Sequence, residues 1–190
     1  MLKKVIDKIN SILILRFRFD LPKKNKILLY DEVHFKVLKE IIKRDFNILE
    51  LRNKKIYFWI YLKQIIFFDF SFKTYSKNYI KFTSPKVIIT FNDARFQMYE
   101  LKKDFEDISF ISVMNGLRFS YWFKNNKIGW FDNSNKTRWP KNLRSDYFFA
   151  LNKFYIPKYQ NLLKSDYHVL GHFRNNLVKI KKKKFHKKFL

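Results

Sequence analysis

The chain contains no cysteine, only three glycines and four prolines, and 16 acidic residues among 190. Without cysteine there is no disulfide framework, no thiolate metal ligand and no cysteine nucleophile, and a reducing compartment is allowed. So little glycine and proline excludes collagen-like and Gly/Pro-rich low-complexity chains. Long apolar runs are missing too. The N-terminal run Ile12 to Leu15 is followed at once by Arg16 and Arg18, and no small-residue cleavage site follows, so it does not fit a secretory signal. The most hydrophobic window, Ile56 to Phe72, is interrupted by Lys63, Gln64 and Asp69, whereas a spanning helix needs about 20 predominantly apolar residues. These absences predict a cytoplasmic protein, at most peripheral to the inner membrane.

What is present is positive charge and aromatic surface. Lys+Arg number 41, giving a net charge of +25, and 47% of residues are hydrophobic, with 23 Phe and 11 Tyr. That apolar share can build a core, so the chain is not generically disordered. The basic excess has two readings. Lys, Asn, Ile, Phe and Tyr all have AT-rich codons, and a low-GC genome produces much of this bias by itself. The other reading is an electrostatic role toward RNA or an anionic membrane surface.

The hydrophobic pattern alternates between strands and helices. Ile27–Tyr30 is a short apolar run closed by Asp31 and Glu32, a buried strand. Val33, Val37, Leu38, Ile41 and Ile42 recur at helical spacing, which predicts a helix from Glu32 to Arg44. A second strand is expected within Phe46 to Leu51, and helices over Ile56 to Phe68 and Tyr75 to Phe82, the latter broken by Ser84-Pro85. The β-branched run Val87–Phe91 reads as a central parallel strand buried on both faces. Asp93 is expected to cap a helix reaching Lys103. Strands follow at Ile108–Val113, Tyr147–Ala150 and Tyr167–Leu170, with a helix over Phe154 to Leu163 that carries Pro157 in its first turn and an irregular stretch over Leu117 to Leu143. This order predicts an α/β fold with a mostly parallel sheet and right-handed crossovers. Residues 1–178 form the expected domain. Residues 179–190, with seven lysines and no periodicity, form a basic tail of the solvated or linker type.

In open α/β sheets ligands bind beyond the carboxyl ends of the strands. Those ends here are Asp31, Asn92-Asp93, Asn115-Gly116 and Gly171-His172. Turn residues are needed at strand ends in any case, so the interest lies in four polar ends converging. The candidate catalytic groups are Asp93, as a carboxylate rather than a helix cap, and His34, as a general base rather than a capping or surface residue. His168, inside the last apolar run, reads as structural. His172, Arg174, Asn175 and Asn176 form a cluster of hydrogen-bonding groups past the last strand, and Arg174 suits a phosphate or carboxylate. No Gly-rich nucleotide loop, Walker loop or His-Glu-x-x-His motif occurs, and four scattered histidines without cysteine do not make a zinc site. No cofactor or metal is therefore predicted. The aromatic stripes Tyr57–Trp59 and Tyr121–Phe123 suit either base stacking or core packing, and no RNA-recognition signature accompanies them.

Several of these segments together carry a resemblance. The run Val87-Ile-Ile-Thr-Phe91 with Asn92-Asp93 and Phe96, then Ile108 to Val113 and Asn115-Gly116, resembles bacterial surface-carbohydrate transferases of the capsule-polysaccharide, GT-B type. Ser145 to Phe149, Tyr155-Ile-Pro-Lys-Tyr159 and Gly171-His-Phe-Arg-Asn-Asn176 extend it, over about residues 1–178. The family usually has Gln where Met114 stands and Ser where His172 stands. The resemblance implies a Rossmann-like domain, the acceptor-side half of a two-domain enzyme whose second half holds the nucleotide-sugar. Asn92, Asn115, Gly116, His172, Arg174, Asn175 and Asn176 are then substrate-binding candidates, and a chain holding one half is expected to be inactive alone. The rival expectation is a basic RNA-binding or ribosomal protein, binding nucleic acid without sequence preference. A third is an interaction module without chemistry.

Overall fold

The computed structural model describes residues 15–66, 69–117 and 139–173. Six strands, β2 (Ile27–Tyr30), β3 (Asn47–Leu49), β5 (Val87–Thr90), β6 (Ser109–Val113), β7 (Leu143–Ala150) and β8 (Leu163–Val169), form one sheet in the order β3-β2-β5-β6-β7-β8. Every neighbouring pair in it is parallel. A separate parallel pair joins β1 (Arg16–Arg18) to β4 (Lys55–Tyr57). The helices are α1 (Phe35–Ile41), α2 (Phe58–Ile65), α3 (Phe72–Thr83), α4 (Phe96–Leu101) and α5 (Ile156–Gln160), with short 3₁₀ turns at Lys102–Asp104 and Lys153–Tyr155. This is the mostly parallel α/β architecture that the sequence pattern predicts, and it is Rossmann-like.

Side-chain alternation divides the core in two. Leu28, Tyr30, Ile88, Phe110 and Phe148 point to one face and pack under α2, α3, α4 and α5. Leu29, Ile89 and Val113 point to the other, under α1 and Phe173. Leu28, Leu29 and Ile88 are 0% exposed. Each such side chain contributes about 1.5–3 kcal/mol on burial, against about 1 kcal/mol for a helix cap, so the apolar rows rather than the helix ends fix the register.

Helix ends depart from the periodicity for identifiable reasons. Helix α1 starts at Phe35, not Glu32, because Asp31 (φ 75°) and His34 (φ 58°) are left-handed and cannot lie inside a right-handed helix. Helix α3 starts a turn early, at Phe72, because the Ser71 side chain accepts the Thr74 N–H. It ends at Ser84 (φ 48°) before Pro85. The expected helix over Ile56 to Phe68 is corrected at its start: Lys55–Tyr57 is a strand, paired with Arg16–Arg18, and the Tyr57 N–H donates to the Tyr75 hydroxyl at 3.0 Å. The helix expected to run to Leu163 stops at Gln160, because Leu163 is 1% exposed and begins β8 opposite Leu143.

Strand β7 begins four residues before the apolar run Tyr147–Ala150. A bulge between Arg144 and Tyr147 breaks its register. There the Asp146 carboxylate accepts the Phe110 N–H at 2.7 Å, and the Ser145 hydroxyl donates to the Phe110 carbonyl at 2.9 Å. Lys102 clasps this point, with Nζ 2.9 Å from the Asp146 carboxylate and donating to the carbonyls of Glu106 and Ile108.

Candidate functional site

Consecutive strands of the sheet run outward in opposite directions from β2 and β5, which makes the gap beyond their carboxyl ends the topological switch point. Asp31 follows β2 and Asn92-Asp93 follows β5, so the fold brings these sequence candidates together. Asp31 is 0% exposed and accepts the Asn92 side-chain amide at 3.0 Å. Arg52, past the end of β3, donates its Nε to both Asp31 oxygens at 2.9 and 3.1 Å. Arg95 places its guanidinium 3.7 Å from the same carboxylate. The two arginine side chains keep 46% and 39% of their surface in solvent. Two half-exposed cations thus lean on one buried anion. Glu32 holds the loop by accepting the backbone N–H groups of Arg52 and Asn53.

The backbone at this end is shaped by side chains. The Thr90 hydroxyl donates to the Tyr30 carbonyl at 3.1 Å and accepts the Asn92 N–H at 3.0 Å, locking β5 to β2 where the chain turns. Asp31 takes its positive φ at this position, and a short polar side chain tolerates it best after glycine.

Asp93 is not a helix cap. The capping position of α4 is Arg95, and no side chain caps it. Asp93 is 0% exposed, and its carboxylate accepts the Asn115 N–H at 3.4 Å and the Tyr159 hydroxyl. The Tyr99 hydroxyl bonds to the Asp93 carbonyl at 3.0 Å and to Ser112 at 2.8 Å. Asp93 therefore ties the ends of β5 and β6 to α4 and α5, a positioning role, and its buried carboxylate offers no face to solvent. Asn115 joins this knot through its backbone, and Gly116 follows in the same loop.

His34 lies on the α1 flank, its ring edge-on to Phe173 at 5.2 Å and to Phe91 at 5.9 Å. As the first residue before α1 it caps nothing with its side chain. His172 stacks on Phe173 at 5.7 Å, and its buried Nδ1 has no hydrogen-bond partner among the described residues. Gly171 (φ 74°) makes the turn that brings this pair back to the strand ends. Arg174, Asn175 and Asn176 lie outside the described residues. His168 is half-exposed, 3.4 Å from the Asp166 carboxylate and stacked on Phe149, so it is a surface residue of the edge strand.

Sequence reasoning missed Arg52, Arg95, Tyr99 and Tyr159. The signal for Arg52 was available: it stands just past a strand end, like the residues that were chosen. Tyr159 reaches Asp93 across 66 positions, and nothing local marks it.

Among the described residues no helix is long and apolar enough to cross a membrane. Fold and strand-end loops together define a Rossmann-like α/β domain with a charged switch point. Comparison of the chain with protein-family models, with curated proteins and with solved structures finds no match.

Proposed function

We propose that this chain is the acceptor-side domain of a transferase-like protein in surface-polysaccharide biosynthesis, and that it does not turn over a nucleotide sugar alone. The observation that carries the reading is the pair of half-exposed arginines, Arg52 and Arg95, held against buried Asp31 at the switch point. Guanidinium groups with spare donors suit a carboxylate or phosphate on a sugar. Asn92 and the Asn115–Gly116 loop supply neutral hydrogen-bonding groups beside them. Asp93 holds these loops in register, and His34 and His172 form the apolar-backed flank.

Transfer needs more than binding an acceptor. Neutralising the leaving phosphates and aligning two substrates each lower a barrier by several kcal/mol. A single crevice without a facing donor site supplies neither, and binding alone accelerates nothing. The test titrates the purified chain with a uronic-acid oligosaccharide and, separately, with a panel of nucleotide sugars. The oligosaccharide is expected to shift the amide signals of Asn92, Arg95 and Asn115, with the effect lost in the Arg52→Gln/Arg95→Gln variant. No nucleotide release above background is expected. Release abolished by Asp93→Ala would show a complete active site and sink the half-enzyme reading. Silence at the strand ends, with tight binding of one RNA at about 200 mM salt, would favour the RNA-binding alternative, since charge acting through phosphates alone weakens steeply there.

A further inference from the structure

Away from the switch-point residues lies a pocket of about 490 Å³, lined by Leu21, Lys24, Trp59, Ile60, Lys63, Asn78, Lys81 and Phe82. It is built where the segment before β2, one side of α2 and the last turns of α3 meet. Its volume is within the usual range for small-molecule sites. No carboxylate lines it. Among the described residues Lys24, Lys63 and Lys81 form no ion pair; other lysines of the surface are unpaired too, and what sets these three apart is that they share one concavity. Three like charges around one concavity repel one another, and the low-dielectric walls focus their field. An anion relieves that repulsion, and ammonium groups suit a phosphate as point charges.

Apart from Asn78 the rest of the lining is apolar, and part of it stands open. Trp59 is 49% exposed and Leu21 54%. Phe19, 66% exposed, extends the rim, with its ring 5.3 Å from Phe58 and its carbonyl accepting the Trp59 indole N–H at 2.7 Å. That bond fixes the indole beside the lysines. Exposed aromatic and aliphatic side chains next to unpaired lysines match a ligand that is charged at one end and greasy at the other.

We propose that this pocket is a second binding site, taking a phosphate group carried on an apolar body. Anionic lipid headgroups and soluble alkyl phosphates share that chemistry. The site stands apart from the switch point and does not depend on the transferase reading.

The test uses the full chain, with nuclear magnetic resonance and dihexanoyl phosphatidic acid below its micelle concentration. The amides of Trp59, Lys63, Asn78 and Lys81 are expected to shift. The Lys24→Gln/Lys63→Gln/Lys81→Gln variant is expected to weaken binding by roughly a hundredfold, at about five-fold per lysine. Trp59→Leu is expected to weaken the alkyl phosphate while leaving inorganic phosphate unchanged. A variant with the same charge change on the other face, Lys36→Gln/Lys39→Gln/Lys43→Gln, is expected to bind as the parent does. Thermal melts confirm that each variant folds. Sedimentation with phosphatidylcholine vesicles, with and without phosphatidic acid, separates the sources. Capture dependent on phosphatidic acid and on the three lysines identifies a bilayer lipid; binding of the soluble phosphate without vesicle capture identifies a soluble ligand. Absent binding, equal losses in both lysine variants, or shifts confined to other surfaces would overturn the proposal.

Discussion

The Asp93–Tyr159 contact can be tested by removing one oxygen atom. Tyr159→Phe keeps the ring, which packs 4.4 Å from Phe148 and 6.4 Å from Trp139, so no cavity forms. What is lost is the hydroxyl donor to a carboxylate in a residue with 0% exposure. A hydrogen bond to a charged group contributes about 1.5–3 kcal/mol, and the upper part of that range applies where the acceptor left behind is buried away from water. A loss of about 2–3 kcal/mol is expected for Tyr159→Phe. In a chain of this length that corresponds to a fall in Tm of about 4–12 °C. Tyr167→Phe is the internal control: its hydroxyl donates to the neutral, partly buried Leu163 carbonyl, and about 1 kcal/mol is expected. The assay is urea denaturation followed by circular dichroism on the parent, Tyr159→Phe, Asp93→Asn and the double variant. Because the two groups touch, the double variant is expected to be less destabilised than the sum of the singles by at least about 0.5 kcal/mol. Additive losses, or a Tyr159→Phe effect no larger than that of Tyr167→Phe, would refute the positioning role of Asp93.

Other outcomes follow from the same contacts. Arg52→Gln is expected to cost about 1–2 kcal/mol, discounted for its half-exposed guanidinium, and Arg95→Gln less than about 1 kcal/mol at its longer 3.7 Å separation; denaturant midpoints measure both. Burial pushes the Tyr30 hydroxyl up to about 12 and raises Tyr75, Tyr79 and Tyr167 as well. These groups stay neutral in the folded chain while the unfolded chain ionises near pH 10, so stability is intact below pH 10 and falls as the pH climbs toward 12. An absorbance titration in which all 11 tyrosines ionise together near pH 10 without unfolding contradicts this. Gly171→Ala meets no atom within 4 Å but must adopt φ 74°, so a loss of about 1 kcal/mol is expected from backbone strain alone, read from the shift in melting temperature.

The elements legible in the sequence are those whose signal is local and one-dimensional. Val87–Thr90 is marked by an unbroken β-branched run between Pro85 and Asn92, and Ile27–Tyr30 by an apolar run before two acids. Strand β4 hides inside a helix-like stretch because its partner, Arg16–Arg18, lies about 40 residues upstream. The start of β7, Leu143-Arg-Ser145, carries no strand pattern in the sequence, because Ser145 and the following Asp146 bond to β6 with side chains. The strand-end rule finds Asp31, Asn92, Asp93 and Asn115 in one place, since topology forces those ends together. It misassigns Asp93, because a carboxylate before a helical run looks the same whether it caps the helix or faces a tyrosine from another layer. Arg52 was legible by the same strand-end rule, whereas Arg95 was obscured by composition: in a chain with 41 Lys and Arg, it does not stand out until its partner is known.

An all-parallel main sheet has a kinetic consequence. Among the described residues it contains no hairpin, so no two of these strands can pair without first closing a long loop; the shortest closures, Leu28 with Asn47 and Leu143 with Leu163, already enclose about 20 residues. Such topologies assemble slowly, because loop-closure entropy is spent before the pairings reward it. The switch point joins residues 31, 52, 92, 95 and 115, which come from the loops after β2, β3, β5 and β6. None of these loops alone can hold a ligand there. A compound that binds this crevice reports the docking of those four strands, and following its capture during refolding would time that step rather than the formation of any single element.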